Sequence, residues 1–311
     1  MGKVLAICTS DVRGIQKTCV PNAVFRENWG IVGDAHAEKW HRQISLLSYD
    51  KIEDFRKKGA EVEYGAFGEN LVVSGFDFRS LPVGTLLKCQ DVLLEMTQIG
   101  KECHSHCAIY KVMGDCIMPR EGVFARVLKG GSIHVGDDME IVPREGKRPY
   151  QAAVITLSDK GSRGEREDKS GPAIVSRLEK SGYEVAEAFI LPDDRAALKH
   201  HLMRLADQRQ LDVIMTTGGT GFSERDITPE ATKEVATKDA PGIAEAIRAY
   251  SMTITKRAML SRGASVIRNK TIIINLPGSP KACEESLDCI LDTLSHGIDI
   301  LRGETGECAR K

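Results

Sequence analysis

Leu211-Asp212-Val213-Ile214-Met215-Thr216-Thr217-Gly218-Gly219-Thr220-Gly221 reads as a buried strand that runs straight into a glycine turn. Apart from Asp212, the residues up to Thr217 are apolar or β-branched at odd and even positions alike. A strand with one face in water alternates. One that is apolar on both parities is covered on both faces, as in a parallel sheet flanked by helices. The glycines end the strand and permit the positive φ of a tight turn. Moving outward, residues 152–157 and 271–276 repeat the pattern, and 184–190 supply a fourth strand. Helical stretches lie between them. One runs from Pro172 to Ser181 and stops at Gly182, and one is capped by Asp193 or Asp194 and runs to about Arg209. A third starts at a capping Thr228 with Pro229 and Glu230 in its first turn, and the last two begin at Pro241 and after Pro280. This strand–helix alternation predicts right-handed crossovers and an α/β doubly wound parallel sheet.

The rhythm stops upstream of Ala152. Pro143-Arg144-Glu145-Gly146-Lys147-Arg148-Pro149 holds two prolines, a glycine and four charges, which suit a linker and not a core. Before it, short strand candidates at 3–9, 43–48, 70–74, 84–89, 92–97 and 138–142 are separated by glycines. Only Tyr49 to Lys58 and a stretch near Gly122 to Lys129 look helical. Many short strands with glycine turns indicate a mainly-β, barrel-like domain. The expected α+β organisation is therefore a domain over 1–143, a linker over 144–150 and a second domain over 151–311, which suits 311 residues at roughly 150 per domain.

Composition excludes several classes. With 43 Lys and Arg against 44 Asp and Glu, the net charge is −1, so no basic excess marks a general nucleic-acid binder. No apolar run approaches the roughly 20 residues that cross a bilayer. The start, Met1 to Gly14, has too short an apolar stretch for a signal peptide, so a cytoplasmic location is expected, with neither membrane nor nucleic acid as partner. Nine cysteines in such a chain argue against a disulfide framework. Cys8, Cys19, Cys89, Cys283 and Cys289 read as small buried hydrophobes.

In an open parallel sheet, ligands bind beyond the carboxyl ends of the strands. Three loops fall there: Ser158-Asp159-Lys160-Gly161 leading to Asp168-Lys169-Ser170-Gly171; Gly218 to Gly221 with Arg225-Asp226; and Pro277-Gly278-Ser279-Pro280. Glycine backbone amides can approach a phosphate closely, and an adjacent carboxylate can hold Mg²⁺ against its oxygens. Gly218-Gly219-Thr220-Gly221 is neither a Walker A loop nor a dinucleotide fingerprint.

Thr217 to Gly221, Arg225-Asp226 and Thr228-Pro229-Glu230-Ala231 together resemble the signature of the MogA/MoaB-type molybdopterin adenylyltransferase family. Ser158-Asp159, Leu191-Pro192-Asp193, Ala258-Met259-Leu260-Ser261-Arg262 and Leu276 to Pro280 match its other motifs in order, over about residues 151–305. The resemblance implies a trimer-forming domain that binds molybdopterin, uses Mg-ATP and releases pyrophosphate. It places Asp193 and Asp226 at the catalytic acidic positions, as Mg²⁺ ligands or organisers. It assigns Ser158, Asp159, Asp168, Gly218, Gly219, Thr220, Gly221, Ser261, Pro277, Gly278 and Ser279 to ligand binding. Two of these have plainer readings: Asp193 as a helix cap and Asp168 as a solvated turn acid.

In the first half, Cys103-His104-Ser105-His106-Cys107 is open to three readings: a zinc site, buried structural thiols, or one functional thiolate. Four ligands from five consecutive residues are sterically awkward, because adjacent side chains point apart. Gly33-Asp34-Ala35-His36, Arg42 to Leu47, Gly68-Glu69-Asn70-Leu71, Val83-Gly84, Gly114-Asp115-Cys116, Glu121 to Val127 and Gly136-Asp137 resemble the MOSC domain of molybdenum-cofactor sulfurases. That family is mainly β, with a cysteine proposed to carry persulfide or bind molybdenum. Cys103 stands at its position, with His36, Arg42, Asn70 and Arg126 as contacts for the pterin phosphate. Both halves thus lead to the molybdenum cofactor, with a cysteine desulfurase and molybdoenzymes as partners. Two further readings are a non-catalytic cofactor carrier, and an unrelated Mg²⁺-dependent nucleotidyltransferase with a zinc module.

Overall fold

A computed structural model describes residues 1–102, 110 and 114–304. The chain divides into two compact units, Met1–Arg148 and Pro149–Lys311. Among the described residues no helix is long and apolar enough to cross a membrane.

The first unit is a β-barrel. Its strands are β1 (Gly2–Thr9), β2 (Thr18–Val20), β3 (Asn22–Arg26), β4 (Gly30–Ile31), β5 (Ile44–Ser48), β6 (Leu71–Ser74), β7 (Leu86–Cys89), β8 (Val92–Ile99), β9 (Val123–Lys129), β10 (Gly131–His134) and β11 (Asp138–Val142). The order β11-β7-β8-β9-β5-β6-β1 closes through a β1–β11 pairing, with β2 added outside β1 and β3, β4 and β10 forming a small second sheet. All barrel neighbours are antiparallel except β5 and β6. Val4, Ile7, Ile44, Leu46, Leu71, Leu87, Leu94 and Val127 fill the interior. Helix α1 (Tyr49–Arg56) lays Ile52 and Phe55 on the outer face, over Ala6, Cys8, Leu47 and Val72. A bulge between Val4 and Ala6 lets β1 serve both cores. Residues 123–129, read from sequence as helical, are β9. Their apolar residues pack into the barrel against β5 and β8, and tertiary pairing overrides the local pattern. The expected linker is partly docked, because Arg144 ion-pairs with Glu95 and Arg148 donates to the Val83 carbonyl.

Glu69 lies on this barrel with no exposed surface, its carboxylate accepting from the Gly65 and Phe67 amides at 2.7 and 3.0 Å. Burial pushes its pKa from 4.5 to about 7, although those amides and the Lys17 charge pull the other way. The folded state therefore binds this proton more tightly than the unfolded chain. The group's contribution to stability is complete below about pH 4.5 and is lost as pH rises through 7. Urea titrations followed by Trp29 and Trp40, the chain's 2 tryptophans, should show the midpoint falling across that window. In Glu69→Gln the slope should be flat; a wild-type midpoint that does not change from pH 5 to pH 7 would refute this account.

The second unit is the expected α/β layer structure. The strands β12 (Tyr150–Leu157), β13 (Tyr183–Leu191), β14 (Val213–Thr217), β15 (Lys238–Asp239), β16 (Ser265–Arg268) and β17 (Thr271–Leu276) stand in the order β13-β12-β14-β17-β16-β15. The first four are parallel. Beyond them β16 and β15 extend the sheet antiparallel, an edge too short and polar to be legible as strands in the sequence. One face carries helices α4 (Ser170–Lys180), α7 (Pro241–Ile254) and α8 (Pro280–Arg302). The other carries α5 (Arg195–Met203), which runs on into a π-helical turn, and α6 (Thr228–Glu234). Two further helices, α2 (Met118–Glu121) and α3 (Asp159–Ser162), are single turns. β12 has β13 on one side and β14 on the other, so the chain reverses its winding direction at β12 and opens a crevice beyond its carboxyl end. Among the described residues β13 is the outer strand, paired on one side only.

Candidate active site

The crevice holds a cavity of about 630 Å³ lined by Thr156, Leu157 and Ser158 from the end of β12, by Thr217, Gly218 and Gly219 from β14, and by Asp168, Asp193, Asp226 and Gly278 from neighbouring loops. Its wall begins with the glycine turn. Gly218 and Gly219 have φ of +94° and +62°, in the left-handed region. A Cβ would fall 2.4 Å from the Leu157 carbonyl at Gly218 and 2.4 Å from Thr228 Oγ1 at Gly219. Only glycine fits either place. Thr228, expected to cap α6, does something else. Its hydroxyl donates to the Gly218 carbonyl at 3.0 Å, its amide donates to Gly219 at 3.1 Å, and Ile227 takes the cap position. The far side of the loop is tied by Arg262, whose guanidinium donates to the carbonyls of Gly221 at 2.6 Å and Asp226 at 2.5 Å. Thr220 gives its carbonyl to the Arg262 amide at 3.0 Å.

Four carboxylates stand in the loops around this turn with different burdens. Asp193 is not the helix cap, because Asp194 accepts from the Ala197 amide at 2.8 Å and takes that role. Asp193 is instead braced against Asp159. The Asp193 amide donates to Asp159 Oδ1 at 3.0 Å, and the Asp159 amide donates to Asp193 Oδ2 at 3.1 Å. Arg225 grips Asp159 in a fork, at 2.8 and 2.7 Å from its two oxygens. That hydrogen bonding, with the Asp193 amide, holds the Asp159 carboxyl below its usual range. Burial pushes the Asp193 carboxyl up, and the charges of Asp159 and Asp226 add to it. The Asp226 carboxylate accepts from the Ser223 amide at 2.8 Å. Negative charge therefore accumulates on one wall. Asp168 is committed to the fold: it receives the amides of Ser170 and Gly171 at 3.0 Å each and the Thr156 hydroxyl at 2.6 Å, so it is no solvated turn acid.

Of the residues assigned from sequence to ligand binding, the crevice gathers Ser158, Asp168, Gly218, Gly219 and Gly278. Asp159 stands behind Asp193. Pro277 accepts from the Thr217 hydroxyl at 2.6 Å, and Ser279 caps α8 through the Ala282 amide. Ser261 accepts from the Gly263 amide, and at Gly221 a Cβ would fall 2.9 Å from the Asp226 carboxylate; neither lines the cavity. Sequence reading missed the cations. Arg166 and Lys169 line the cavity from the charged run just before α4. Their position between a strand end and a helix start was the available signal.

In the first unit Cys103, His104, His106 and Cys107 lie outside the described residues. Two of the other assigned positions, His36 and Asn70, contact Asp34, which is buried with Lys17. Asp34 Oδ2 accepts Lys17 Nζ at 2.8 Å, Asn70 Nδ2 at 3.0 Å and the Ser10 amide at 3.3 Å; Oδ1 accepts the His36 amide at 2.8 Å. Burial raises the Asp34 carboxyl, but the His36 and Lys17 hydrogen bonds and the Lys17 charge outweigh it and hold it well below the usual range. Asn70 is spent on the fold, its amide nitrogen on Cys8 and Asp34 and its oxygen on Ser45. Arg126 pairs with Glu95 at 2.5 Å. His36 and Arg42 are half-buried, with the Arg42 guanidinium 4.1 Å from the Trp40 ring. Cys19, expected to be buried, is exposed.

A doubly wound domain with a glycine turn and carboxylates at its switch point is a phosphate-ligand-binding α/β domain. Residues 153–296 match the family described as "Probable molybdopterin binding domain", and residues 33–140 match the MOSC domain. The chain belongs to the molybdopterin adenylyltransferase family through its second unit and carries a MOSC domain in its first. It is 41% identical over 152 residues to a molybdopterin adenylyltransferase of Helicobacter pylori, covering 48% of this chain and 86% of that one. Identity to the Escherichia coli K12 molybdopterin adenylyltransferase is 37% over 152 residues, covering 47% and 77%. A solved MoaB structure from a Thermus species aligns with 43% identity and a TM-score of 0.48, covering 50% of this chain and 97% of that one.

Proposed function

We propose that the chain works in molybdenum-cofactor biosynthesis, its second unit transferring an adenylyl group from Mg-ATP to molybdopterin. The observation that carries this reading is the wall formed by Asp193, Asp226 and the Gly218–Gly219 turn on one crevice, in a chain 41% identical to a molybdopterin adenylyltransferase. The terminal phosphate of molybdopterin is itself a nucleophile toward the α-phosphorus of ATP. The protein need supply only position and charge compensation. The amides of the glycine turn suit phosphate oxygens, and Arg166 and Lys169, which also line the cavity, suit a polyanion.

The donor set fits Mg²⁺ in the manner usual for nucleotide enzymes. Among the described residues no three His, Cys, Asp or Glu side chains gather closely enough to hold a metal alone. Two carboxylates with unbalanced charge, Asp193 and Asp226, match a cation that completes its shell with phosphate oxygens and water. Bound there, Mg²⁺ would neutralise charge developing on the phosphates. Asp159 and Arg225 hold Asp193 in place through the paired backbone bonds.

The first unit, in this reading, binds the cofactor or handles its sulfur through Cys103, in the cytoplasm, with a cysteine desulfurase as donor and molybdoenzymes as recipients. Exposed Tyr250, Met252, Ile254, Met259 and Leu260 at the end of α7 and the following turn support self-association of the second unit, and the family resemblance implies a trimer. Intact protein given molybdopterin, ATP and Mg²⁺ should release pyrophosphate stoichiometrically with adenylylated molybdopterin. Tight molybdopterin binding with no pyrophosphate above background would instead make this chain a carrier.

A further inference from the structure

Cys8 on β1 and Cys19 on β2 face each other in register. The Cys8 amide donates to the Asn70 carbonyl at 2.7 Å, and the Cys8 carbonyl accepts from Asn70 Nδ2 at 3.0 Å. Both backbone polar groups of Cys8 thus point away from β2. Opposite Cys19 it forms a non-hydrogen-bonded pair, the position at which antiparallel Cα atoms approach to about 4.5 Å and side chains stand closest. A disulfide spans that separation. The two Sγ atoms lie 3.5 Å apart. Cys8 is buried under Phe67 and α1, whereas Cys19 is exposed, so solvent species reach only one thiol of the pair.

The surroundings keep the two strands together. Gly65 has φ of +88°, and a Cβ there would fall 2.3 Å from the Lys17 carbonyl and 3.3 Å from Cys8 Cβ. The 65–69 loop therefore presses directly on the chain entering β2. The Lys17 amide donates to the Gly65 carbonyl at 3.2 Å, anchoring the strand one residue before Thr18.

We infer that Cys8 and Cys19 are a dithiol site that reacts with low-molecular-weight disulfides, with Cys19 as the entry thiol and Cys8 as the resolving thiol. Cys19, deprotonated to water, attacks one sulfur of the small disulfide. That S–S bond breaks, the first small thiolate leaves and takes up a proton, and Cys19 carries a mixed disulfide. Cys8 then gives up its proton and attacks Cys19 Sγ, expelling the second small thiolate, which is protonated in turn. The two protein thiols lose two electrons, and the small disulfide gains them to become two thiols. Burial pushes the Cys8 thiol up, which confines the first attack to Cys19. Closure draws the sulfurs from 3.5 Å to about 2.05 Å. It staples β2 to the barrel next to Lys17, whose ammonium holds Asp34.

Incubating the full chain with oxidised glutathione, quenching in acid and alkylating before peptide mass spectrometry tests this site. A Cys8–Cys19 linked peptide should appear, Cys19 alkylation should fall about tenfold, and dithiothreitol should restore it. In Cys8→Ser the reaction should halt at glutathionylated Cys19, and Trp29 and Trp40 fluorescence reports whether that variant is folded. The proposal is overturned by a stable glutathione adduct on Cys19 of the unsubstituted chain, by a linked peptide joining Cys19 to any other cysteine, or by undiminished Cys19 alkylation.

Discussion

Asp226→Ala is expected to lower pyrophosphate release from molybdopterin and Mg-ATP by about two to three orders of magnitude, the range seen when one preorganised electrostatic group is removed from a transition state. Among the described residues the carboxylate accepts one hydrogen bond, from an amide in an exposed turn. Its removal should therefore cost only about 1 kcal/mol of stability. Asp168→Ala offers the contrast. It strips two amides at the start of α4 and the Thr156 hydroxyl of their acceptor, so it should lower the melting temperature more than Asp226→Ala does. Measuring melting and pyrophosphate release on both variants separates an acid that serves the ligand from one that serves the fold. If Asp226→Ala kept wild-type turnover at saturating Mg²⁺, its place in the reaction would be lost.

The second large effect belongs to the barrel. Asp34→Ala should destabilise the first unit by about 3–5 kcal/mol, the usual cost of leaving one partner of a buried pair uncompensated. The Lys17 and Asp34 side chains are each 2% exposed, and burial alone already lowers the Lys17 pKa. Adding Lys17→Met to Asp34→Ala removes the stranded charge and should recover most of the loss. Urea unfolding followed by Trp29 and Trp40 reads both. A double variant no more stable than Asp34→Ala would show that the Asn70, Ser10 and His36 contacts matter more than the ion pair. The pair also has a pH signature: the Asp34 contribution is present above its unfolded pKa near 4 and is lost as pH falls below it. That window lies below the one set by Glu69.

The second unit was legible because its strands are apolar on both parities and its helices begin at prolines and acids that mark the first turn. Strands 152–157, 184–190, 211–217 and 271–276 stand where those patterns place them. The antiparallel edge was not legible: Lys238–Asp239 and Ser265–Arg268 are too short to show a period and owe their conformation to β17. In the first unit the barrel class was readable from glycine spacing, but β9 was not. Val123-Phe124-Ala125-Arg126-Val127 has no turn signal inside it, and its pairing partners lie far away in sequence. The candidate site follows the same rule. Glycine positions could be read locally, since a backbone constraint shows in the residue itself. The Asp159–Asp193 brace and the Arg262 clamp join residues 34 or more apart, so no local pattern revealed them. Asn70 belongs with these long-range contacts, since its bonds reach Cys8, Asp34 and Ser45, 25 or more residues away.

The outer strand β13 has a further consequence. It is nine residues long and, among the described residues, unpaired on one side, which is the form of edge on which another sheet pairs. Glu187 sits in its middle, held by Arg204 at 3.0 Å and by Arg209 at 3.1 Å. An incoming strand would have to bury that charge cluster or tear it open. The pairing that holds the turn after α5 to the sheet thus also sets charge on the outer strand, which disfavours edge-to-edge pairing.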